Sequence, residues 1–282
     1  EALWSPPGPR DFAEFRARLE THCRRLSAAG VNHRPLDPVA VAHPQPRAAI
    51  PPSQTTTATP TATAAGSAAR FDPGSPRAAA ELVERLFPGR SKDFFFEAIA
   101  PDDGRDVFEI ETRDGRLVIR GNTAVSMAVG LNWYLHDFCR CHVSLHGRHG
   151  VLPSPLPPVA PAIRRTSWAR HRYYLNYCAF GYSLPWWDWP QWEELIDWMA
   201  LQGINMPLAV TGQEAVWRAV CRRLGMSDAE TAAFLAGPPY LPFQWMGCLQ
   251  GWGGPLPADW IDRHEQLQKR ILQRQRALGI GQ

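Results

Sequence analysis

The segment from residue 171 to 217, HRYYLNYCAFGYSLPWWDWPQWEELIDWMALQGINMPLAVTGQEAVW, holds six of the twelve tryptophans of the chain. So dense a run of aromatic side chains either lines a site for a flat, partly apolar ligand or builds an aromatic core. The order of patterns within it is equally restrictive. Tyr173 to Cys178 is short and aromatic like a strand, and Trp189 to Gln202 carries apolar residues at helical spacing. Gly203-Ile204-Asn205 then leads into the apolar run Met206 to Val210, and a second helical stretch follows. This order predicts a βαβ unit with an aromatic loop at the carboxyl end of its first strand. In a parallel α/β barrel that end carries the active site.

The rest of the chain divides into three further regions. Residues 37 to 74, centred on PPSQTTTATPTATAAGSAA, cannot bury enough apolar surface to offset their ordering entropy and read as an extended linker. Before it, residues 1 to 36 contain an amphipathic helix with Phe12, Phe15, Leu19, Cys23 and Leu26 on one stripe, stopped by Gly30. After it, residues 75 to 165 alternate elements at the spacing of a small α+β domain. Arg77 to Phe87 is a predicted helix, and Asp93 to Ala100 and Asp106 to Thr112 are strands. Asp114-Gly115 turns the chain into a strand over Arg116 to Arg120. A helix capped by Asn122 or Thr123 runs through Phe138, and Cys141 to Leu145 can add a strand. The Pro-rich VLPSPLPPVAPAI then marks the crossing to the aromatic region, residues 166 to 282.

Charge and cysteine usage remove several function classes. A net charge of +3, spread along the chain, gives no basic stripe of the kind a nucleic-acid partner requires. No apolar run approaches the roughly 20 residues of a membrane span. Cysteines 23, 139, 141, 178, 221 and 248 form no paired framework, and Cys139-Arg140-Cys141-His142 lacks a second cluster to close a tetrahedral metal site. We therefore expect no metal and no cofactor.

The strings RYYLNYCAFGYSLPWWDWPQW, EELIDWMALQGINMPLAVTGQEAVW, RRLGMSDAE and FLAGPPYLPFQWMG resemble the amino-terminal half of the α-N-acetylglucosaminidases, family 89 of the glycoside hydrolases. The resemblance covers about residues 75 to 282. It implies an α/β protein in which a small α+β amino-terminal domain precedes a (β/α)8 TIM barrel. The activity it implies is removal of terminal α-linked N-acetylglucosamine from glycans, with retention of configuration. A complete barrel needs roughly 250 residues, whereas about 115 remain after residue 167. The barrel is thus expected to be incomplete and the chain to be a fragment cut at both ends. Residues 1 to 36 resemble, more briefly, the carboxyl end of the family 20 β-N-acetylhexosaminidases; a plain leader helix is the other reading. No leader is visible to fix the compartment; a secreted or periplasmic setting in a bacterium, or a lysosomal one in an animal, suits the resemblance.

Residue by residue, the resemblance implies that Asn176, Cys178, Phe243 and Met246 line the pocket for the terminal sugar. On the predicted strand Asn176 and Cys178 alternate, so their side chains share a side, and an amide can both donate to and accept from sugar hydroxyls. Taken without the resemblance, Asn176 reads more readily as a capping or loop residue than as a pocket residue. Phe243 stands where many relatives have tryptophan, which keeps an aromatic face and loses an indole donor. Trp186 and Trp187 can form a stacking wall or belong to the core, whereas Trp189, Trp192 and Trp198 read as core. Asp188 is a candidate helix cap, and Glu193, Glu194 and Asp197 read as solvated helix residues. A retaining glycosidase needs two carboxyl groups about 5 Å apart. Glu214 is the plausible barrel carboxylate, but it reads as a residue of the helix's first turn or one supporting the site. The resemblance places both catalytic glutamates beyond Gln282. The competing functional reading is a noncatalytic carbohydrate-binding module.

Overall fold

The computed structural model describes residues 75–249 and 252–281, together with Thr21 and Arg24, both helical. The remainder of the 1–36 module and the linker lie outside the described residues. From residue 75 onward the chain is one compact unit.

The first half is built on a mixed four-stranded sheet. Helix α1 (Pro76–Leu86) starts where the Ser75 side chain accepts from the Ala78 N–H and proline occupies the first turn. It leads to β1 (Phe94–Ala98), β2 (Val107–Arg113) and β3 (Arg116–Gly121). Asp114 and Gly115 take φ of 51° and 71°, the left-handed pair that a two-residue hairpin between β2 and β3 demands. Helix α2 (Ala124–Asp137) follows, with Thr123 as its cap. It is apolar nearly all round and buried along most of its length, which makes it the core of this half. Strands β4 (His142–Ser144) and β5 (Gly147–His149) form a separate small hairpin.

The Pro-rich stretch does not simply cross between domains. Leu152 and Val159 are buried. Val159 exchanges hydrogen bonds with Thr112, its N–H going to the Thr112 hydroxyl at 2.9 Å. The chain then enters β6 (Ile163–Thr166), an edge strand absent from the sequence reading. It completes the sheet order β1-β3-β2-β6, with β1 parallel to β3 and the other pairings antiparallel. The expected boundary at residue 165 therefore falls within a strand of the first half.

The second half opens with β7 (Tyr173–Tyr174), which pairs in parallel with β8 (Met206–Pro207). Between them lie helices α3 (Tyr177–Ser183) and α4 (Trp189–Leu201). Both strands are shorter than their sequences suggest. Leu175 adopts φ +73°, which takes the chain out of the extended region, and Asn176 at once caps α3. The expected strand Tyr173 to Cys178 is thus corrected to two strand residues followed by a helix. The run to Val210 is likewise a strand only to Pro207, although the Leu208 N–H still donates to the Tyr174 carbonyl at 3.1 Å. Helix α4 starts in a capping box between Asp188 and Gln191. After β8 come α5 (Gln213–Arg223), α6 (Asp228–Phe234), α7 (Leu241–Trp245) and α8 (Trp260–Ala277). Beyond α8 the Gly281 N–H donates to the Asn205 carbonyl at 2.9 Å, bringing the returning chain beside β8.

Two buried ion pairs clamp this arrangement. The Arg172 guanidinium, fully enclosed, donates to the Asp106 carboxylate just before β2 and to the Gly203 carbonyl just before β8. Arg85 on α1 makes a bidentate pair with Asp197 on α4, both contacts at 2.7 Å. Asp197 is buried, which corrects its expected solvated place: its carboxylate is covered by the Arg85 side chain from α1 and by Arg274 from α8, not by water.

Candidate functional site

Asn176 and Cys178 do not alternate on a strand. Asn176 is the cap of α3, its Oδ1 accepting from the Ala179 N–H at 2.8 Å, and Cys178 is the second residue of that helix. Both are exposed. The cap occupies one face of the Asn176 carbonyl oxygen and leaves its NH2 group, with two donors, unengaged among the described residues.

The expected pocket loop around Phe243 and Met246 is corrected in the same way. Pro238–Tyr240 is a 3-10 turn running into α7, on which Phe243 is half-buried, and Met246 caps the carboxyl end with its side chain 42% exposed. Helices α3 and α7 pack against each other. Trp245 meets Tyr177 and Phe180 at ring separations of 6.2 and 6.3 Å, and Gly181 lies so close to Pro239 that an added Cβ would sit 2.8 Å from its carbonyl oxygen. The four residues named from sequence thus lie on two adjoining helices, each entered after a strand or turn of the second half.

Trp187 is half-buried and packs edge-on against Trp192 at 6.1 Å, while Trp186 is 56% exposed. Trp192 is core, as read. Trp198 packs on Tyr174, and Trp189 lies beneath the guanidinium of Arg270 at 4.1 Å.

Glu214 sits in the first turn of α5, just past the carboxyl end of β8, and is 1% exposed. Its Oε1 accepts from the Trp260 indole N–H at 2.9 Å, and its Oε2 is enclosed without a partner among the described residues. Burial raises its pKa above the ordinary carboxyl value, making it a weaker acid, opposed first by its own backbone N–H and then by the neighbouring His264 ring and the Trp260 indole. The His264 ring stacks on Trp260 at 3.9 Å. Its two nitrogens face the carbonyls of Trp260, at 2.9 Å, and Pro185, at 3.0 Å. A neutral imidazole can donate to only one of these. This cluster ties the loop before Trp186 to α8 and to the turn after β8. Sequence reading missed Trp260 and His264, because their partners lie 46 and 79 residues away; their i, i+4 spacing on one helix was the only local signal.

A small α+β unit feeding a parallel strand–helix–strand unit, with aromatic and amide side chains gathered on its helices, defines a mixed α/β protein. Comparison supplies the family. Residues 77–158 match the α-N-acetylglucosaminidase amino-terminal domain and residues 172–282 match its TIM-barrel domain. Human α-N-acetylglucosaminidase is 42% identical over 221 residues, which are 77% of this chain and 30% of the human protein. A family 89 glycoside hydrolase from Clostridium perfringens, solved with PUGNAc, superposes with a TM-score of 0.71 at 35% identity, over 73% of this chain and 24% of that one. The same enzyme, with two glutamates replaced by glutamine, has been solved with its substrate GlcNAc-α-1,4-galactose and matches equally well. The chain belongs to the α-N-acetylglucosaminidase family, family 89 of the glycoside hydrolases. It spans under a third of the length of these relatives.

Proposed function

We propose that this chain is part of an exo-acting, retaining glycoside hydrolase that removes terminal α-linked N-acetylglucosamine from glycans. In this reading β7 and β8 are the first two strands of a (β/α)8 barrel that is incomplete within residues 166 to 282. The parallel β7–β8 pair and the return of Gly281 alongside Asn205 support it. The two catalytic glutamates lie on barrel loops beyond Gln282, about 5 Å apart as retention requires.

The observation that carries the reading is the packing of α3 against α7, which brings Asn176 and Cys178 near the helix bearing Phe243 and Met246. Asn176, with one acceptor face spent on its cap, offers its NH2 donors to a sugar hydroxyl. Phe243 and Met246 offer apolar surface to the sugar's C–H face. Glu214 and Trp187 support these groups from behind rather than react. The ligand is neutral and polyhydroxylated, so no metal or cofactor is required for its binding.

The test is a kinetic comparison in the polypeptide extended through the whole barrel. Loss of a neutral hydrogen bond in a desolvated pocket costs on the order of 1–3 kcal/mol, or roughly tenfold to a hundredfold in kcat/KM. Asn176→Ser, which preserves a capping oxygen, should show that loss with an unchanged melting temperature. Unchanged kcat/KM would remove Asn176 from the sugar site.

A further inference from the structure

The second tryptophan of the WWDW motif also faces a place that the reading above does not use. Trp187 lines a cavity of about 360 Å³ between the β4–β5 hairpin and the outer side of α4. That volume lies within the range of small-molecule sites, about 300–1,000 Å³. Its polar lining comes from both sides: Gln191 and Glu194 from α4, His146 from the hairpin.

These groups have capacity to spare. Neither the Trp187 indole N–H, nor the Glu194 carboxylate, nor the His146 ring has a hydrogen-bond partner among the described residues. Gln191 uses its carbonyl oxygen for the Asp188 N–H in the capping box and keeps its NH2 donors. Arg148, the one cation of the lining, is already engaged, its Nη1 donating to the Arg85 and Leu86 carbonyls at 3.2 and 3.0 Å. Arg148 keeps its charge, but Glu194 balances it and Asp197 is already neutralised by Arg85, so the cavity carries no net charge and gives a phosphate or other anion no electrostatic advantage. An aromatic side chain beside uncommitted donors and acceptors of both kinds suits a neutral ring carrying several hydroxyls.

We propose that this cleft is a binding site for a neutral sugar ring of a glycan, with Trp187 as its aromatic wall and Gln191, Glu194 and His146 hydrogen-bonding its hydroxyls. The proposal does not depend on hydrolysis and concerns residues other than Asn176, Cys178, Phe243 and Met246. Trp187 is held for the task by its backbone, since its N–H donates to the Leu184 carbonyl at 3.1 Å and the helix cap begins at the next residue. The hairpin side is held by Arg148 through the end of α1.

The test is nuclear magnetic resonance on the 15N-labelled 282-residue chain, titrated with methyl α-N-acetylglucosaminide and with GlcNAc-α-1,4-galactose. The Trp187 indole signal, identified by its loss in Trp187→Phe, should shift saturably. Glu194→Ala and His146→Ala, both at exposed positions, should each weaken that binding about tenfold with unchanged melting. Asn176→Ser should leave it unaltered. A Trp187 signal that stays in place at millimolar sugar overturns the proposal. So does a shift that disappears in Asn176→Ser but survives Glu194→Ala, because the sugar would then sit on the α3–α7 face. Failure of Asn176→Ser to affect kcat/KM, with the Trp187 shift intact, would instead overturn only the family reading of Asn176.

Discussion

The two halves of the described chain spend their polar and aromatic groups differently. In residues 75 to 166 a four-stranded sheet is closed by two helices, and the charged side chains answer one another: Arg120 alone contacts Glu97, Glu109 and Glu111. In residues 172 to 281 the strands are two residues long and the aromatic side chains outrun the core. Of the six enclosed side-chain nitrogens or oxygens without a hydrogen-bond partner among the described residues, one, Arg105 Nε, belongs to the first half. The other five, on Trp192, Thr211, Glu214, Trp245 and Arg274, belong to the second. Tyr182, Trp186 and Trp252 stand mostly exposed there too. A fold made only to be stable would bury or pair such groups. Their concentration in the second half separates it from the first, where such groups are paired.

The largest test of that contrast is Arg172→Ala, at the seam. It leaves the Asp106 carboxylate and the Gly203 carbonyl without their buried donor, at a cost of about 3–5 kcal/mol. Urea unfolding should show the second half melting early while the first keeps its own transition. One unshifted transition would mean the halves do not depend on this clamp.

Next comes a pair of glycines. Gly212, at φ +77°, would place a Cβ 2.9 Å from the His264 carbonyl, so Gly212→Ala combines a left-handed backbone with a clash, about 2–4 kcal/mol. Gly115, at φ +71°, has open space around it, and Gly115→Ala should cost only about 1–2 kcal/mol. Equal losses would show that the turn after β8 is not tightly packed.

The halves should also differ in the sign of their pH response. Glu84 and Glu97 in the first half are held below the ordinary carboxylate value, by hydrogen bonds from Ser91 and Arg120 respectively. A lowered native value contributes stability above the unfolded value that is lost as pH falls. Burial raises Glu214 in the second half. The native state then holds its proton where the unfolded state has released it, so stability falls as pH rises from the ordinary Glu value of 4.5 through the higher native one. Melting curves of Glu214→Gln should lose part of this fall. A steeper fall would contradict the assignment.

The smallest effect is at Asn176. Replacing a capping side chain by alanine costs about 1 kcal/mol, and serine should restore it. If Asn176→Ser melts as low as Asn176→Ala, the residue does more for the fold than cap α3.

The supporting half was legible because its signals are local. The Asp114-Gly115 turn and the Thr123 cap each act within a few residues, and the elements fall within about two residues of expectation. Strand β6 escaped because IRRT follows a proline run and gains its identity only from pairing with Val107 to Ile110. In the second half the type and order of elements were readable, but strand lengths were not. The left-handed Leu175 leaves no mark in the sequence; the cap or loop reading that the residues alone favour for Asn176 is the one the structure shows, not the strand end. Asp197 looked solvated because Arg85 lies 112 residues earlier. Glu214 looked like an ordinary first-turn residue because Trp260 and His264 lie far down the chain.

The central claim is that residues 172 to 281 form the sugar-holding start of a barrel whose catalytic carboxylates lie beyond Gln282. Hydrolysis of an aryl α-N-acetylglucosaminide, measured side by side for the 282-residue chain and for the polypeptide extended through the barrel, tests it most directly. The account predicts turnover by the extended protein and none by the 282-residue chain, even at high enzyme concentration. Turnover by the purified 282-residue chain would contradict it and would place the reacting carboxylates among residues 75 to 281.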